Sequence, residues 1–274
     1  MRVRTRVGEL SIEDVGEGPA VVLWHSYLHH GGMWRAQVEA LRTRYRVINV
    51  DAPGHGRSES LARVITMDDC ADAVAELLDA RGVDRAAFCG LSWGGMTAMA
   101  FSIRHPARLT AMALFDTSAR EEKLKNRIEY RVLGTIFRTL GAVPALMDKV
   151  EKLFFCQDTL RDERAMVDAW RAYVSRMDRQ TVWNALQCIV RRRDVRDELA
   201  RVRVPTLIGV GDRDLAQPRE ESEAIAAAIP GAKLFVVRNA GHLSALERPR
   251  EVNERLLAFL GEVTHASAST RATG

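Results

Sequence analysis

A serine framed by glycines is the residue of this chain best suited to chemistry. Ser92 lies in the run Gly90-Leu91-Ser92-Trp93-Gly94, a G-x-S-x-G pattern. Small residues two positions before and after the serine permit a turn too sharp for larger side chains. The apolar run 86–89 predicts the end of a buried strand, and residues 96–105 predict a helix that Pro106 stops. A strand, turn and helix in this order would present the Ser92 hydroxyl as a nucleophile.

A base must take the proton of Ser92, because a serine hydroxyl is a weak nucleophile near neutral pH. Asn239-Ala240-Gly241-His242 directly follows the predicted strand 232–237. In a parallel sheet the carboxyl ends of the strands share one edge, so we expect His242 to lie near Ser92.

A carboxylate must in turn orient the histidine. Asp212 and Asp214 follow the predicted strand 204–210 and are candidates for that role. Asp116, at the end of the predicted strand 109–115, is the main alternative, although as a loop residue it is also suited to capping the next helix.

The elements that carry these residues alternate between strand and helix, which predicts an α/β fold with a doubly wound, mostly parallel sheet. The first two strands, 2–7 and 10–15, are expected to form an antiparallel hairpin around Gly8-Glu9. The other predicted strands are 20–24, 46–50, 86–89, 109–115, 204–210 and 232–237, and the predicted helices around them are 33–41, 67–81, 96–105 and 218–229.

Residues 117–203 interrupt this alternation with helix-period patterns, such as the apolar spacing of Leu124, Ile128 and Val132. We expect this segment to be a helical cap, or lid, over the edge where such sheets bind ligands. The sequence therefore predicts a core of residues 1–116 and 204–262, a cap of residues 117–203 and a disordered tail from 263 to 274.

Composition excludes several classes of protein. The 274 residues are 47% hydrophobic and 28% charged, with a net charge of +4, which is the composition of an ordinary soluble protein. No apolar run is long enough to span a membrane, so we expect a cytoplasmic protein without a membrane partner. The tight basic run at residues 191–193 is followed at once by Asp194, which argues against a nucleic-acid partner.

Metal and cofactor sites are not expected. The four cysteines, residues 70, 89, 156 and 188, show no CxxC pair. His25, His29 and His30 are clustered, but no acidic or cysteine residue is spaced to complete a metal site with them.

The order Ser92, Asp214, His242 and the strand positions of these residues resemble the α/β-hydrolase fold superfamily over residues 1–262. Within it the chain resembles the serine hydrolase and esterase branch, nearest in pattern to 3-oxoadipate enol-lactonase-like hydrolases. The resemblance implies that Ser92 is the nucleophile and His242 the general base and acid. It favours Asp214 as the orienting acid, because Asp214 stands three residues after Gly211 and four before Pro218.

The resemblance also implies two backbone N–H donors for the oxyanion of an acyl-transfer intermediate, those of Trp93 and Tyr27. Tyr27 follows His25-Ser26, where the superfamily commonly has His-Gly, and a serine at position 26 is similar to the enol-lactonase branch. The ring of Trp93 is expected either to line the acyl pocket or to pack against the cap.

A serine at position 92 argues against dehalogenase and epoxide hydrolase chemistry, which uses aspartate there in this superfamily. The leading hypothesis is a cofactor-independent hydrolase of a small-molecule carboxylic ester or lactone, with an anionic substrate held by an arginine of the cap as a further hypothesis. Carbon–carbon bond hydrolase, thioesterase, haloperoxidase or perhydrolase, and a non-catalytic receptor remain alternatives. The sequence leaves the oligomeric state open between monomer and homodimer.

Overall fold

Eight strands form one sheet in the computed structural model, which describes residues 1–272. The strands are β1 (Arg2–Thr5), β2 (Gly8–Val15), β3 (Ala20–Trp24), β4 (Arg46–Val50), β5 (Ala86–Leu91), β6 (Leu109–Phe115), β7 (Thr206–Gly211) and β8 (Lys233–Val237). Their order across the sheet is β1-β2-β4-β3-β5-β6-β7-β8. The pairs β1/β2 and β2/β4 are antiparallel and every other pair is parallel, so the prediction of a doubly wound, mostly parallel α/β fold is confirmed.

Helices cover both faces of the sheet and fill the long connection between β6 and β7. They are α1 (Arg35–Leu41), α2 (Met67–Ala80), α3 (Trp93–Arg104), α4 (Leu124–Leu140), α5 (Pro144–Phe154), α6 (Gln157–Asp162), α7 (Arg164–Ser175), α8 (Arg179–Val190), α9 (Arg196–Leu199), α10 (Arg219–Ala228), α11 (Ser244–Glu247) and α12 (Pro249–Ala272). Short 3₁₀ turns at Gly31–Trp34 and Pro106–Arg108 lead into α1 and β6.

The central strands are hydrophobic on both faces because both faces are covered. All six residues of β5 and all six of β7 are buried. Two apolar clusters, one on each side of the sheet, form the core, as expected for parallel strands that read as continuous apolar runs. The sheet is therefore a rigid base for the loops at its carboxyl edge.

The turn of the first hairpin lies earlier than the sequence predicts. Thr5 pairs with Gly8, so residues 6 and 7 form the turn and Gly8 opens β2. The Thr5 hydroxyl donates to the Gly8 carbonyl at 2.7 Å, and Arg6 forms ion pairs with carboxylates of α2. The Thr5 hydrogen bond within the hairpin and the Arg6 ion pairs outside it both favour this register.

The helices α4 to α9 occupy the segment that we call the insertion, residues 117–203. The insertion leaves and returns at neighbouring points, because the Val195 N–H donates to the Ala119 carbonyl at 2.9 Å. The predicted helical periodicity of Leu124, Ile128 and Val132 is correct, but these three side chains are 53 to 70% exposed rather than buried. The helix α4 is apolar on two faces, and spacing alone cannot tell which of them packs.

The sequence predicts a disordered tail from residue 263, whereas α12 continues to Ala272. Alanine residues follow Glu262 without an intervening proline, and alanine has the highest intrinsic helix propensity. Residues 273 and 274 lie outside the described residues. Across residues 1–272, no helix combines the length and the apolarity that crossing a membrane requires.

Candidate active site

Ser92 occupies a strained turn between β5 and α3. Its backbone has φ 55° and ψ −110°, a region that non-glycine residues rarely adopt. Neighbouring hydrogen bonds hold this conformation: the Ser92 N–H donates to the Phe115 carbonyl at 2.8 Å, and the Thr117 hydroxyl donates to the Ser92 carbonyl at 2.8 Å. The strain turns the side chain toward the loops at the carboxyl edge of the sheet.

The glycines on either side of Ser92 are steric requirements of this turn. A Cβ at Gly90 would lie 2.2 Å from the Gly94 carbonyl oxygen, and one at Gly94 would lie 2.0 Å from the Trp24 carbonyl oxygen. Backbone atoms cannot move aside as a flexible side chain can. The sequence pattern thus reflects close contact between β3, β5 and α3.

His242 and Asp214 complete a hydrogen-bonded chain that starts at Ser92. The Ser92 Oγ lies 2.8 Å from Nε2 of His242, and Nδ1 of His242 lies 2.9 Å from Oδ2 of Asp214. We assign the proton to Nδ1, because the Asp214 carboxylate only accepts; Nε2 is then free to accept the Ser92 proton. All three residues are more than nine-tenths buried, so water competes little for these hydrogen bonds.

Backbone donors fix the Asp214 carboxylate. Its Oδ1 accepts from the N–H groups of Ala216 at 2.8 Å and Gln217 at 2.9 Å, within the loop that follows β7. Asp212 has a different role: its Oδ1 accepts from the Ala240 N–H at 3.2 Å and so ties this loop to the one that carries His242. Of the two carboxylates in this loop, the structure brings Asp214 to the histidine.

Asp116, the alternative acid, lies behind the site. Its carboxylate accepts from the Gly211 N–H at 2.8 Å and from the N–H and hydroxyl of Ser244. Burial, with the nearby negative charge of Asp214, raises the pKa of Asp116 well above its ordinary value. Asp116 therefore joins the end of β7 to the start of α11 and supports the loops on either side of His242.

Burial and charge act in opposite directions on His242. Burial lowers its pKa, but the charge and hydrogen bond of Asp214 more than offset this, with smaller contributions from Asp116 and Glu247. The net effect raises the pKa of His242 above its ordinary 6.5. The histidine is therefore protonated at pH values where an isolated imidazole is already neutral.

We expect kcat/KM for a neutral ester to rise with pH, with a midpoint above about 6.5, because a general base must be unprotonated to accept the Ser92 proton. Lowering the pH through the pKa of His242 removes the base and the activity together. The measurement is kcat/KM between pH 5 and 9 on a substrate that does not itself ionise in that range. A midpoint at pH 6 or below would contradict the arrangement.

The loop after β3 supplies a candidate oxyanion donor. Nδ1 of the fully buried His25 donates to the Ser26 carbonyl at 2.7 Å, and its Nε2 accepts from the Ala52 N–H at 2.7 Å. The Ser26 carbonyl and the Tyr27 N–H belong to one trans peptide and point in opposite directions. The hydrogen bond from His25 to the Ser26 carbonyl therefore also fixes the direction of the Tyr27 N–H. The Leu28 N–H donates to His55 at 3.3 Å, whereas the described residues offer the Tyr27 N–H no acceptor.

Trp93 combines a candidate N–H donor with a buried ring. Its N–H belongs to the first turn of α3, where N–H groups have no acceptor within the helix and the helix dipole favours negative charge. Its indole is fully buried and packs against Trp24 at 6.3 Å and His55 at 5.2 Å between ring centroids. The expectation that the ring lines the pocket is wrong, because Met96, one turn later, lines the cavity instead. The ring belongs to a core cluster that also contains Ala185 and Cys188 of α8.

A cavity of about 120 Å³ opens beside Ser92 and His242. One water molecule needs about 10–15 Å³ on the same scale, so the space suits a small organic group. Its walls are mainly apolar and come largely from α4, α5 and α8. They include Leu133, Phe137, Leu146, Met147, Phe154 and Val182.

The cavity wall has few charged groups. Of the described residues that line it, Glu122 carries the one carboxylate and none is an arginine or lysine. Glu122 is paired with Arg192 at 2.9 Å, and both side chains are buried. The hypothesis that an arginine of the cap holds a substrate carboxylate is therefore not supported by the wall.

The clustered histidines have structural partners. His29 accepts from the His30 N–H at 2.9 Å, and His25 bridges two loops as described above. Within residues 1–272, no group of three or more His, Cys, Asp or Glu side chains is placed to hold a metal ion.

Two further residues at the site were missed by sequence reasoning. Phe154 packs on the His242 ring with centroids 5.3 Å apart, and the Glu247 carboxylate accepts from the Gly241 N–H at 2.8 Å. Phe154 belongs to the insertion, whose packing is not readable from sequence. The sequence did offer a signal for Glu247, since an acidic residue stands only five positions after His242.

Known proteins share this architecture. The chain is 27% identical over 257 residues to 3-oxoadipate enol-lactonase 1 of Acinetobacter baylyi, covering 93% of this chain and 94% of the relative. A thermophilic esterase from Thermogutta terrifontis superposes with a TM-score of 0.90 at 31% identity, covering 96% of this chain and 98% of the esterase. The enol-lactonase from Burkholderia xenovorans LB400 superposes with a TM-score of 0.89 at 30% identity, covering 95% of this chain and 100% of the lactonase.

Residues 21–255 match the sequence profile of the alpha/beta hydrolase family. This range runs from β3 into α12 and includes Ser92, Asp214 and His242, together with the whole insertion. The chain belongs to the alpha/beta hydrolase family.

Proposed function

We propose that this protein is a serine hydrolase of neutral carboxylic esters or lactones that carry a small apolar acyl group. The observation that carries the proposal is the hydrogen-bonded chain from Ser92 through His242 to Asp214, which ends at an apolar cavity. The similarity to an esterase and to enol-lactonases supports the same reaction class. The absence of a cationic group in the described wall favours a neutral acyl group over an anionic one.

In the proposed mechanism, Ser92 Oγ attacks the ester carbonyl carbon while its proton passes to Nε2 of His242. The carbonyl oxygen becomes an oxyanion that accepts from the N–H groups of Trp93 and Tyr27. Asp214 stabilises the imidazolium and keeps its Nδ1–H in place. The intermediate collapses to an acyl-enzyme as His242 gives the proton to the leaving alcohol oxygen.

Hydrolysis of the acyl-enzyme repeats these steps with water as the nucleophile. His242 takes a proton from the water, whose oxygen attacks the acyl carbon, and then returns the proton to Ser92 Oγ as the carboxylic acid leaves. We further propose that the insertion acts as a cap domain over the core, because its helices form most of the wall that would contact the acyl group.

A fluorophosphonate probe tests the nucleophile directly. The probe phosphonylates an activated serine, so we expect a covalent mass increase on the peptide that contains Ser92, together with loss of ester turnover. A folded protein that binds small esters but neither reacts with the probe nor turns them over would instead be a receptor. Labelling at a serine other than Ser92 would contradict the proposal.

We expect kcat/KM to rise along a series of 4-nitrophenyl esters from acetate to hexanoate. Each buried methylene contributes about 0.8 kcal/mol, which corresponds to roughly a 4-fold increase per carbon until the cavity is filled. The measurement is kcat/KM for each ester at a fixed pH above the activity midpoint.

The matched control for this series is a monoester of succinic acid, which places a carboxylate at the end of a four-carbon acyl chain. We expect butyrate to be preferred over it by more than about tenfold, since the wall offers a carboxylate no cationic partner. Equal efficiency on the two esters would remove the reason for proposing a neutral substrate.

A further inference from the structure

The insertion and the His242 loop are in direct backbone contact. We call residues 154–158 the anchor segment; it links α5 to α6 and lies against Gly241. A Cβ on Gly241 would come within 2.6 Å of the Cys156 nitrogen and 2.9 Å of the Phe155 carbonyl carbon. The Cys156 thiol also donates to the Asn239 carbonyl at 3.2 Å. The loop that carries the proposed base thus packs on the insertion without an intervening side chain.

One buried carboxylate joins the two segments. Glu247 on α11 accepts from the Gly241 N–H through Oε1 at 2.8 Å and from the Cys156 N–H through Oε2 at 3.0 Å. The residue is 6% exposed, and no ion pair of Glu247 is found within the described part of the chain. Burying a charged group without a counter-ion is costly, so two backbone donors must compensate for lost hydration.

A second contact runs from the anchor segment to the imidazole itself. Phe154 packs its ring on His242 with centroids 5.3 Å apart, and both residues line the cavity. On the outer side, Arg213 donates to Asp158 and to the Asn239 side chain, each at 2.8 Å. The anchor segment therefore contacts the loops that follow both β7 and β8.

From these contacts we propose that Glu247 is a positioning residue that couples the seating of the insertion to the alignment of His242. The inference rests on the proposed function, since it concerns the base of that reaction. Glu247 touches neither the substrate cavity nor Ser92 among the contacts described; it acts through Gly241 and Cys156. A change that releases the anchor segment should therefore misalign the base even though every residue of the hydrogen-bonded chain is intact.

A substitution at Cys156 can break this bridge on its insertion side. Its backbone has φ −70° and ψ 160°, which proline adopts readily, and the preceding Phe155 is extended as a residue before proline should be. Cys156→Pro replaces the N–H that donates to Glu247 with a ring methylene, so it removes the hydrogen bond and also pushes away the carboxylate oxygen that lies 3.0 Å from the nitrogen. Cys156→Ala is the matched control, because it removes the same thiol and keeps the N–H.

Glu247→Gln weakens the bridge from the other side. A glutamine offers one carbonyl oxygen and an NH₂ group, so one of the two backbone donors loses its acceptor. The control is Glu221→Gln, which changes another buried glutamate. Its carboxylate accepts from Ser118 at 2.7 Å and pairs with Arg120, and neither residue belongs to the His242 loop. Glu221→Gln tests whether the loss of any buried carboxylate is enough to lower kcat.

We expect Cys156→Pro and Glu247→Gln each to lower kcat for 4-nitrophenyl acetate by about 10- to 100-fold, the scale of a misplaced catalytic group. KM should change by less than about 3-fold, because the acyl wall is largely retained. The kcat of the double variant should be no lower than that of the more impaired single variant, because both changes disrupt the same interaction between Glu247 and the anchor segment. Glu247→Gln should also shift the midpoint of the pH profile downward, because the Glu247 charge contributes to the raised pKa of His242.

Specific outcomes would overturn the inference. One such outcome is a kcat for Cys156→Pro equal to that of Cys156→Ala. Another is a double variant of Cys156→Pro and Glu247→Gln in which the fold-losses of kcat multiply, as they do for independent sites. If Cys156→Pro does not fold, the comparison of Glu247→Gln with Glu221→Gln decides: a lower melting temperature with unchanged kcat and pH midpoint would mean a purely structural role. Failure of the proposed function is a separate result, seen as full activity in Ser92→Ala.

Discussion

Replacing Ser92 by alanine is expected to lower kcat for 4-nitrophenyl butyrate by about 10⁴-fold or more, because the substitution removes the nucleophile of the proposed mechanism. His242→Ala should cost a similar factor, since its Nε2 lies 2.8 Å from the Ser92 Oγ and is the group placed to take the proton. The measurement is steady-state turnover, with active-site titration to exclude contamination by a more active enzyme.

The double variant Ser92→Ala/His242→Ala distinguishes a concerted chain from two independent contributions. Residues that act as a unit show losses that do not multiply, so we expect the double variant to be about as active as either single one. Circular dichroism should show that each variant is folded. Retention of a tenth or more of the activity in folded Ser92→Ala would exclude Ser92 as the nucleophile.

Gly94→Ala is expected to destabilise the fold by about 3 kcal/mol or more, or to prevent soluble expression, because overpacking against backbone cannot relax locally. The added Cβ would lie 2.0 Å from the Trp24 carbonyl oxygen and 2.8 Å from its carbon, so β3 and α3 would have to separate. The measurement is the free energy of unfolding from denaturant titration.

The control for this prediction is Gly261→Ala. Both glycines lie in helices, but a Cβ at Gly261 meets no atom within 4 Å. Alanine is favoured over glycine in a helix by about 0.5–1 kcal/mol, so this variant should be as stable as the parent or more stable. Equal stability of the two variants would mean that the contact between α3 and Trp24 is looser than described.

The fold class and the meeting of Ser92, Asp214 and His242 were predictable because their signals are local in sequence. Each of the three residues lies in the turn or loop that follows a strand, and parallel strands bring their carboxyl ends to one edge of the sheet. The glycines around Ser92 were equally readable, since their requirement arises from the turn itself. The order of elements therefore carried most of the information about the site.

Features that depend on packing between distant segments were not predictable in the same way. The helix α4 has apolar residues on two faces, and the face that packs is decided by α8, with Gly134 fitting close to Leu186. The position of the Trp93 ring away from the cavity depends on two distant neighbours, Trp24 at the end of β3 and His55 in the loop after β4. The wall of the cavity, and with it the missing cationic group, likewise depends on how the helices of the insertion assemble.

The hydrogen bond between Ala119 and Val195 has a consequence for how members of this family could diversify. It brings the two ends of the insertion together, so the segment between them resembles an exchangeable cassette that leaves and re-enters the core at one place. Substitutions or wholesale replacement inside this cassette would alter the acyl wall while leaving the strands, the serine turn and the acid loop untouched. The anchor segment would constrain such an exchange, because a new cassette must still present a backbone N–H to Glu247.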